Sequence, residues 1–161
     1  MRRDDIKPDE VLARRLAAEI RLELAALDRL MEEGSSAPTS TDVFSLRGRA
    51  SILHDTYSAV ERVFVRIAEE LNGGVPKGDA WHRQLLTDMT LEVADVRPPL
   101  ISKELADDLS LLLRFRHVFR NIYGFVLEAD RLADLEGMCP RIVEEFKTQI
   151  EGFLRWMVGE A

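Results

Sequence analysis

A chain of 161 residues with 46% hydrophobic and 32% charged residues fits one globular domain and excludes a disordered one. No apolar run has the length of a membrane span, and the charged start Met1-Arg-Arg-Asp-Asp lacks the apolar stretch of a secretory signal. The net charge of −7 argues against a general nucleic-acid coat and leaves room for a local basic site. The single cysteine, Cys139, has no internal partner and reads as a small semi-buried hydrophobe, in keeping with a reducing, cytoplasmic location.

Val11, Leu12, Leu16, Ile20, Leu24, Leu27 and Leu30 or Met31 recur at helical spacing and predict a first helix over Asp9–Glu33. Pro8 suits its first turn and Gly34 its end. Residues 35–41 form a polar, mobile connection. Asp42 or Thr41 then caps a second helix through Leu46, Leu53, Tyr57, Val60, Phe64 and Ile67 to about Leu71, where Asn72-Gly-Gly supplies a left-handed stop. After the 72–79 loop, Asp79 is the expected N-cap of a short third helix, Ala80 to Leu91. Arg97-Pro-Pro-Leu breaks the chain within the 94–101 loop. Ser102 caps a fourth helix through Leu105, Leu109, Leu112, Phe115, Phe119 and Ile122, with Gly124 as its weak point or end. A fifth helix spans Asp130 to Val158, kinked or interrupted at Pro140. Without any alternating strand pattern, the prediction is an all-α, antiparallel up-and-down bundle of four to five helices forming a single domain over 1–161.

The fourth helix carries the chemical information. At about 100° per residue, Phe115, Val118, Phe119 and Ile122 share an arc with Leu111 and Leu112. Arg116, Arg120 and Tyr123 form a polar line beside a second one of His117, Asn121 and Gly124. No acidic residue lies between Arg114 and Gly124, so guanidinium groups, an imidazole, an amide and a phenol are offered to one ligand. The competing interpretation is a solvated face whose arginines pair with acids on a neighbouring helix, such as Glu61 or Glu69. His54, Tyr57 and Glu61 share a face of the second helix, from which Glu61 can orient Arg116 or Arg120. His82 beside Trp81 reads as local packing around the third helix or as a contact for a partner. The three histidines lack metal-ligand spacing, so no metal site is predicted. Asn72-Gly-Gly-Val-Pro-Lys-Gly lacks the ending of a phosphate-binding loop, no Ser/His/Asp set can be argued, and no cofactor is predicted.

The run Arg-Phe-Arg-His-Val-Phe-Arg-Asn-Ile-Tyr-Gly-Phe, Arg114 to Phe125, resembles the signature helix of HepT-like members of the HEPN superfamily. Leu53-His-Asp-Thr-Tyr-Ser-Ala-Val-Glu-Arg-Val-Phe, Gly73-Gly-Val-Pro, Ala80-Trp-His-Arg-Gln-Leu-Leu and Arg97-Pro-Pro-Leu-Ile-Ser extend the likeness over roughly Leu46 to Leu135. The resemblance implies a HEPN-like bundle, a homodimer whose two fourth helices line one cleft, and a toxin encoded beside a minimal nucleotidyltransferase (MNT) antitoxin. It also implies metal-independent RNA cleavage, with Arg116 at the family's motif arginine and Tyr123 at its tyrosine, a position adenylylated by the partner. Asn121 stands where the family has histidine, and an amide accepts no proton at neutral pH. Either His117 is the base, with Arg116 catalytic, Asn121 positioning and Arg114 and Arg120 binding substrate, or the protein only binds its nucleotidyltransferase partner or a nucleotide. A purely structural helical module is the third reading.

Overall fold

The computed structural model describes residues 10–121 and 127–160. They form five helices, α1 (Glu10–Ser35), α2 (Val43–Leu71), α3 (Trp81–Asp88), α4 (Lys103–Asn121) and α5 (Ala129–Met157), and no strand occurs among the described residues. None of these helices is long and apolar enough to cross a membrane.

Local chemistry sets most of the boundaries. Of the two candidate caps for α2 it is Asp42 that acts, accepting from the Ser45 amide at 3.0 Å. Hydrogen bonds from the Ser40 and Ser45 hydroxyls hold its carboxyl well below the usual carboxylate range. The helix stops where the amides of Asn72 and Gly74 both reach the Ala68 carbonyl, which Gly73 permits at a φ of 77°. Ser102 caps α4, its hydroxyl accepting from the Leu105 amide at 3.1 Å. Gln149 of α5 in turn holds Ser102 through both its backbone amide and its hydroxyl.

Three expectations are corrected. Gly34 does not end α1, which runs on to Ser35 with the hydroxyls of Ser35 and Ser36 both donating to the Glu32 carbonyl. Asp79 does not cap α3; Ala80 holds that position without a side-chain bond, and the helix ends at Asp88 rather than Leu91. Nor does Pro140 interrupt α5, which continues through it without the hydrogen bond that the proline nitrogen cannot donate.

Residue pairs fix the helix directions. Glu19 and Glu23 of α1 meet Arg66 and Arg62 of α2, in reversed order along the two chains. The same reversal relates α4 to α5 through Ser102–Gln149 and Asp108–Arg141, and α1 to α5 through Arg21–Glu151 and Asp28–Lys147. By contrast, Arg49–Glu136 and Phe64–Phe146 advance together, so α2 and α5 run parallel. The four long helices are therefore an up-and-down bundle. α2 is its central member, packing on α1, α3, α4 and α5. Its fully buried Val60, Phe64 and Ile67 each contribute about 1.5–3 kcal/mol of burial. The short α3 lies across α2 and α4, and that placement creates the site.

Candidate functional site between α2, α3 and α4

On α4 the buried residues are Leu105, Leu109, Leu112, Leu113 and Arg116. At about 100° per residue, Arg116 lies within about 20° of Leu105, at the centre of the inward arc. The sequence reading that set Arg116 on an outer polar line with Arg120 is thus corrected: Arg116 is 3% exposed, whereas Arg120 is exposed. The aromatic arc is displaced correspondingly. Phe115, Val118 and Phe119 are only half-buried, and Phe115 and Val118 line an apolar cavity of about 370 Å³ with Leu111, Leu127, Leu132 and Leu135.

A buried guanidinium requires partners, since an unpaired charge in the interior costs several kcal/mol. Arg116 has them on α2 and α3. Its Nη2 donates to Glu61 Oε2 at 2.9 Å and its Nη1 to Ser58 Oγ at 3.3 Å. Its guanidinium carbon sits 4.8 Å from the centre of the Tyr57 ring, a cation–π distance. Tyr57 is wholly buried; burial, and then the charge of Glu61, push its phenol pKa up. Among the described residues its hydroxyl has no hydrogen-bond partner.

The third member of this cluster is His82, from the first turn of α3. Its Nδ1 lies 2.7 Å from Glu61 Oε2 and 3.1 Å from Arg116 Nη2. The Trp81 indole covers its ring, centroid to centroid 3.7 Å. From the sequence, His82 is expected as packing around α3 or as a contact for a partner, not as a member of the site. The only available signal was its position beside Trp81 in a stretch already matching the family, and nothing in one sequence states that α3 folds back over Glu61.

On the solvent side of His82 lies a cavity of about 520 Å³. Asp79, His82 and Arg83 line it from the start of α3, and Arg114, His117 and Val118 line it from α4. His117 is exposed and held by Asn121, whose Nδ2 donates to the His117 carbonyl at 2.9 Å and lies 3.3 Å from its Nδ1. An amide nitrogen only donates, so in this contact Nδ1 is the acceptor and the imidazole proton is on Nε2. His54 sits apart, against Asp55 at 3.0 Å and the Phe119 ring at 5.8 Å. Tyr123 lies outside the described residues. Of the acids considered as arginine partners, Glu61 pairs with Arg116, and Glu69 pairs within its own helix with Arg66 at 2.8 Å. Among the described residues no group of three His, Cys, Asp or Glu side chains is placed to hold a metal ion. Cys139 is buried, and burial pushes its thiol up to about 11.

No curated protein and no solved structure matches this chain. A family model described as HepT-like protein matches residues 49–157, a span that contains α3, α4 and every residue of the Arg116–Glu61–His82 cluster. With more than half of its length matched, and with the helical bundle that the resemblance implied, the chain belongs to the HepT-like family of the HEPN superfamily.

Proposed function

We propose that this protein is a metal-independent endoribonuclease, the toxin of a HEPN/MNT toxin–antitoxin pair, and that it takes RNA in the cavity between α3 and α4. One observation carries the reading: Arg83, Arg114, His82 and His117, with Asp79 as the one acid, line a single cavity in a chain of net charge −7. Two guanidinium groups supply fixed, planar donors for phosphate oxygens, and the imidazoles supply proton-transfer groups at neutral pH. Arg116, almost wholly enclosed, acts on this site from behind, by holding Glu61. The homodimer and the nucleotidyltransferase antitoxin belong to the same reading and rest on family membership.

The test is incubation of the full chain with total cellular RNA in EDTA. Cleavage is expected, and Arg114→Ala lowers it by about 100-fold, the usual loss of one charge-stabilising donor. RNA left intact by the wild-type protein, or cut equally well by Arg114→Ala, overturns the reading.

A second reading is favoured by Asn121, which occupies the family's histidine position and is spent on hydrogen bonds to His117. In it the protein binds its nucleotidyltransferase partner or a nucleotide through the same cavity without turnover. Co-purification with that partner, together with RNA left intact, is its expected signature.

A further inference from the structure

Resting on the ribonuclease reading of this cavity, we propose that Nε2 of His82 is the general base, fixed in its basic tautomer by Glu61, which Arg116 holds in place, and that the family's missing signature histidine is thereby replaced from another helix.

The shorter of two competing contacts at Nδ1 selects the tautomer. Glu61 Oε2 lies 2.7 Å from His82 Nδ1 and 2.9 Å from Arg116 Nη2. Arg116 Nη2, which only donates, lies 3.1 Å from the same Nδ1, so Nδ1 either accepts from Arg116 or donates to Glu61. The contact with the carboxylate is the closer, and a bare nitrogen at 2.7 Å from that oxygen would set two lone pairs against each other, so we place the proton on Nδ1, pointing at Glu61. Arg116 donates to the same oxygen, which holds that carboxylate facing the ring. With Nδ1 protonated, Nε2 carries the free lone pair. The Trp81 indole covers the ring at 3.7 Å, and the Nδ1 edge faces the buried cluster. The opposite edge therefore belongs to the cavity side that His82 helps to line. A carboxylate that orients an imidazole from behind, leaving the far nitrogen to accept a proton, is an arrangement that serves acyl transfer as well.

His117 is the opposite case. Asn121 claims its Nδ1, so it presents Nε2–H to solvent and is a donor rather than a base. The two imidazoles thus differ in role because different neighbours take their Nδ1 atoms.

The chemical step follows from this division. A ribose 2′-hydroxyl gives its proton to His82 Nε2, and O2′ forms a bond to the adjacent phosphorus. The P–O5′ bond breaks, and the departing 5′ oxygen takes a proton from water. The products are a 2′,3′-cyclic phosphate and a 5′-hydroxyl, and His82 afterwards loses its proton to solvent. Arg83, Arg114 and the His117 Nε2–H hold the phosphate oxygens as charge grows on them. Glu61 and Arg116 are positioning residues.

The informative variant is His82→Asn, whose amide nitrogen replaces Nδ1 and keeps the bond to Glu61 while removing Nε2. It is expected to bind a single-stranded oligoribonucleotide as the wild type does and to cleave about 100-fold more slowly or worse, the usual worth of a general base. Added imidazole is expected to restore part of the cleavage in His82→Gly. Long-range proton–nitrogen NMR correlations on the full chain are expected to show His82 protonated at Nδ1 and bare at Nε2, a preference that Glu61→Gln weakens. Wild-type cleavage rates in His82→Asn, or an Nε2–H tautomer at His82, overturn this proposal and leave the ribonuclease reading standing. Absence of cleavage by the wild-type protein overturns both.

Discussion

Tyr57 sets its hydroxyl in the core with no hydrogen-bond partner among the described residues, while its ring receives the Arg116 guanidinium at 4.8 Å. The ring and the hydroxyl therefore act in opposite directions. A buried polar group left unsatisfied costs about 1–3 kcal/mol, and the cation–π contact needs only the ring face. Tyr57→Phe is accordingly expected to stabilise the fold by about 1 kcal/mol, read as a rise of about 2–4 °C in melting temperature. A fall in melting temperature would show that the hydroxyl serves a partner. Glu61 and Arg116 behave differently, because truncating either leaves the other's charge buried and uncompensated. Alanine at either position is expected to cost about 3–5 kcal/mol of stability as well as the site, which is why the conservative Glu61→Gln is the useful probe of the site.

At the scale of the element, α3 is eight residues long, too short to persist alone, and its placement determines where His82 points. Arg97 is its fastening. This arginine is 2% exposed, and its guanidinium donates to the carbonyls of Asp88, Leu91 and Pro98 and to Asn72 Oδ1. It thus ties the end of α3 to the end of α2 and to its own loop, and the two prolines that follow hold the chain extended. Burial lowers the Arg97 pKa, partly offset by Asp88. Arg97→Ala leaves four acceptors without this donor and is expected to cost about 1–3 kcal/mol. Arg97→Lys recovers little of this, since an ammonium lacks the planar fork that spans the four acceptors. Urea unfolding of the three proteins checks the order, and a lysine variant as stable as the wild type would show that charge alone suffices.

The same element shows what the sequence could reveal. The caps at Asp42 and Ser102, the Asn72-Gly-Gly stop and the five helices were legible because each is local chemistry. The inward position of Arg116 was hidden, since hydropathy places a charged residue outside, and only the Leu105–Leu109–Leu112 line, followed by geometry, leads to it. His82 was harder still. Its role depends on a loop fastened by Arg97 through backbone carbonyls, which carry no residue-type signal.

Across the whole molecule, the proposed function would bring an RNA backbone to a body of net charge −7, where Arg83 and Arg114, beside Asp79, line the cavity offered to it. The two arginines and the general field are separable by salt. Each phosphate neutralised on a single strand contributes about 0.7 to the slope of log affinity against log salt. A charge farther from the strand than a Debye length is largely screened and contributes little to affinity or to the slope. With the cleavage-deficient His82→Asn chain as background, Arg83→Ala and Arg114→Ala are each expected to reduce the slope for a single-stranded oligoribonucleotide by about 0.7, and together by about 1.4. Arg155→Ala, an exposed position on α5, makes the same change in net charge and is expected to leave the slope unaltered. Equal slopes in all of these proteins would mean that the cavity arginines touch no phosphate, and RNA would then have to be sought on another face of the bundle.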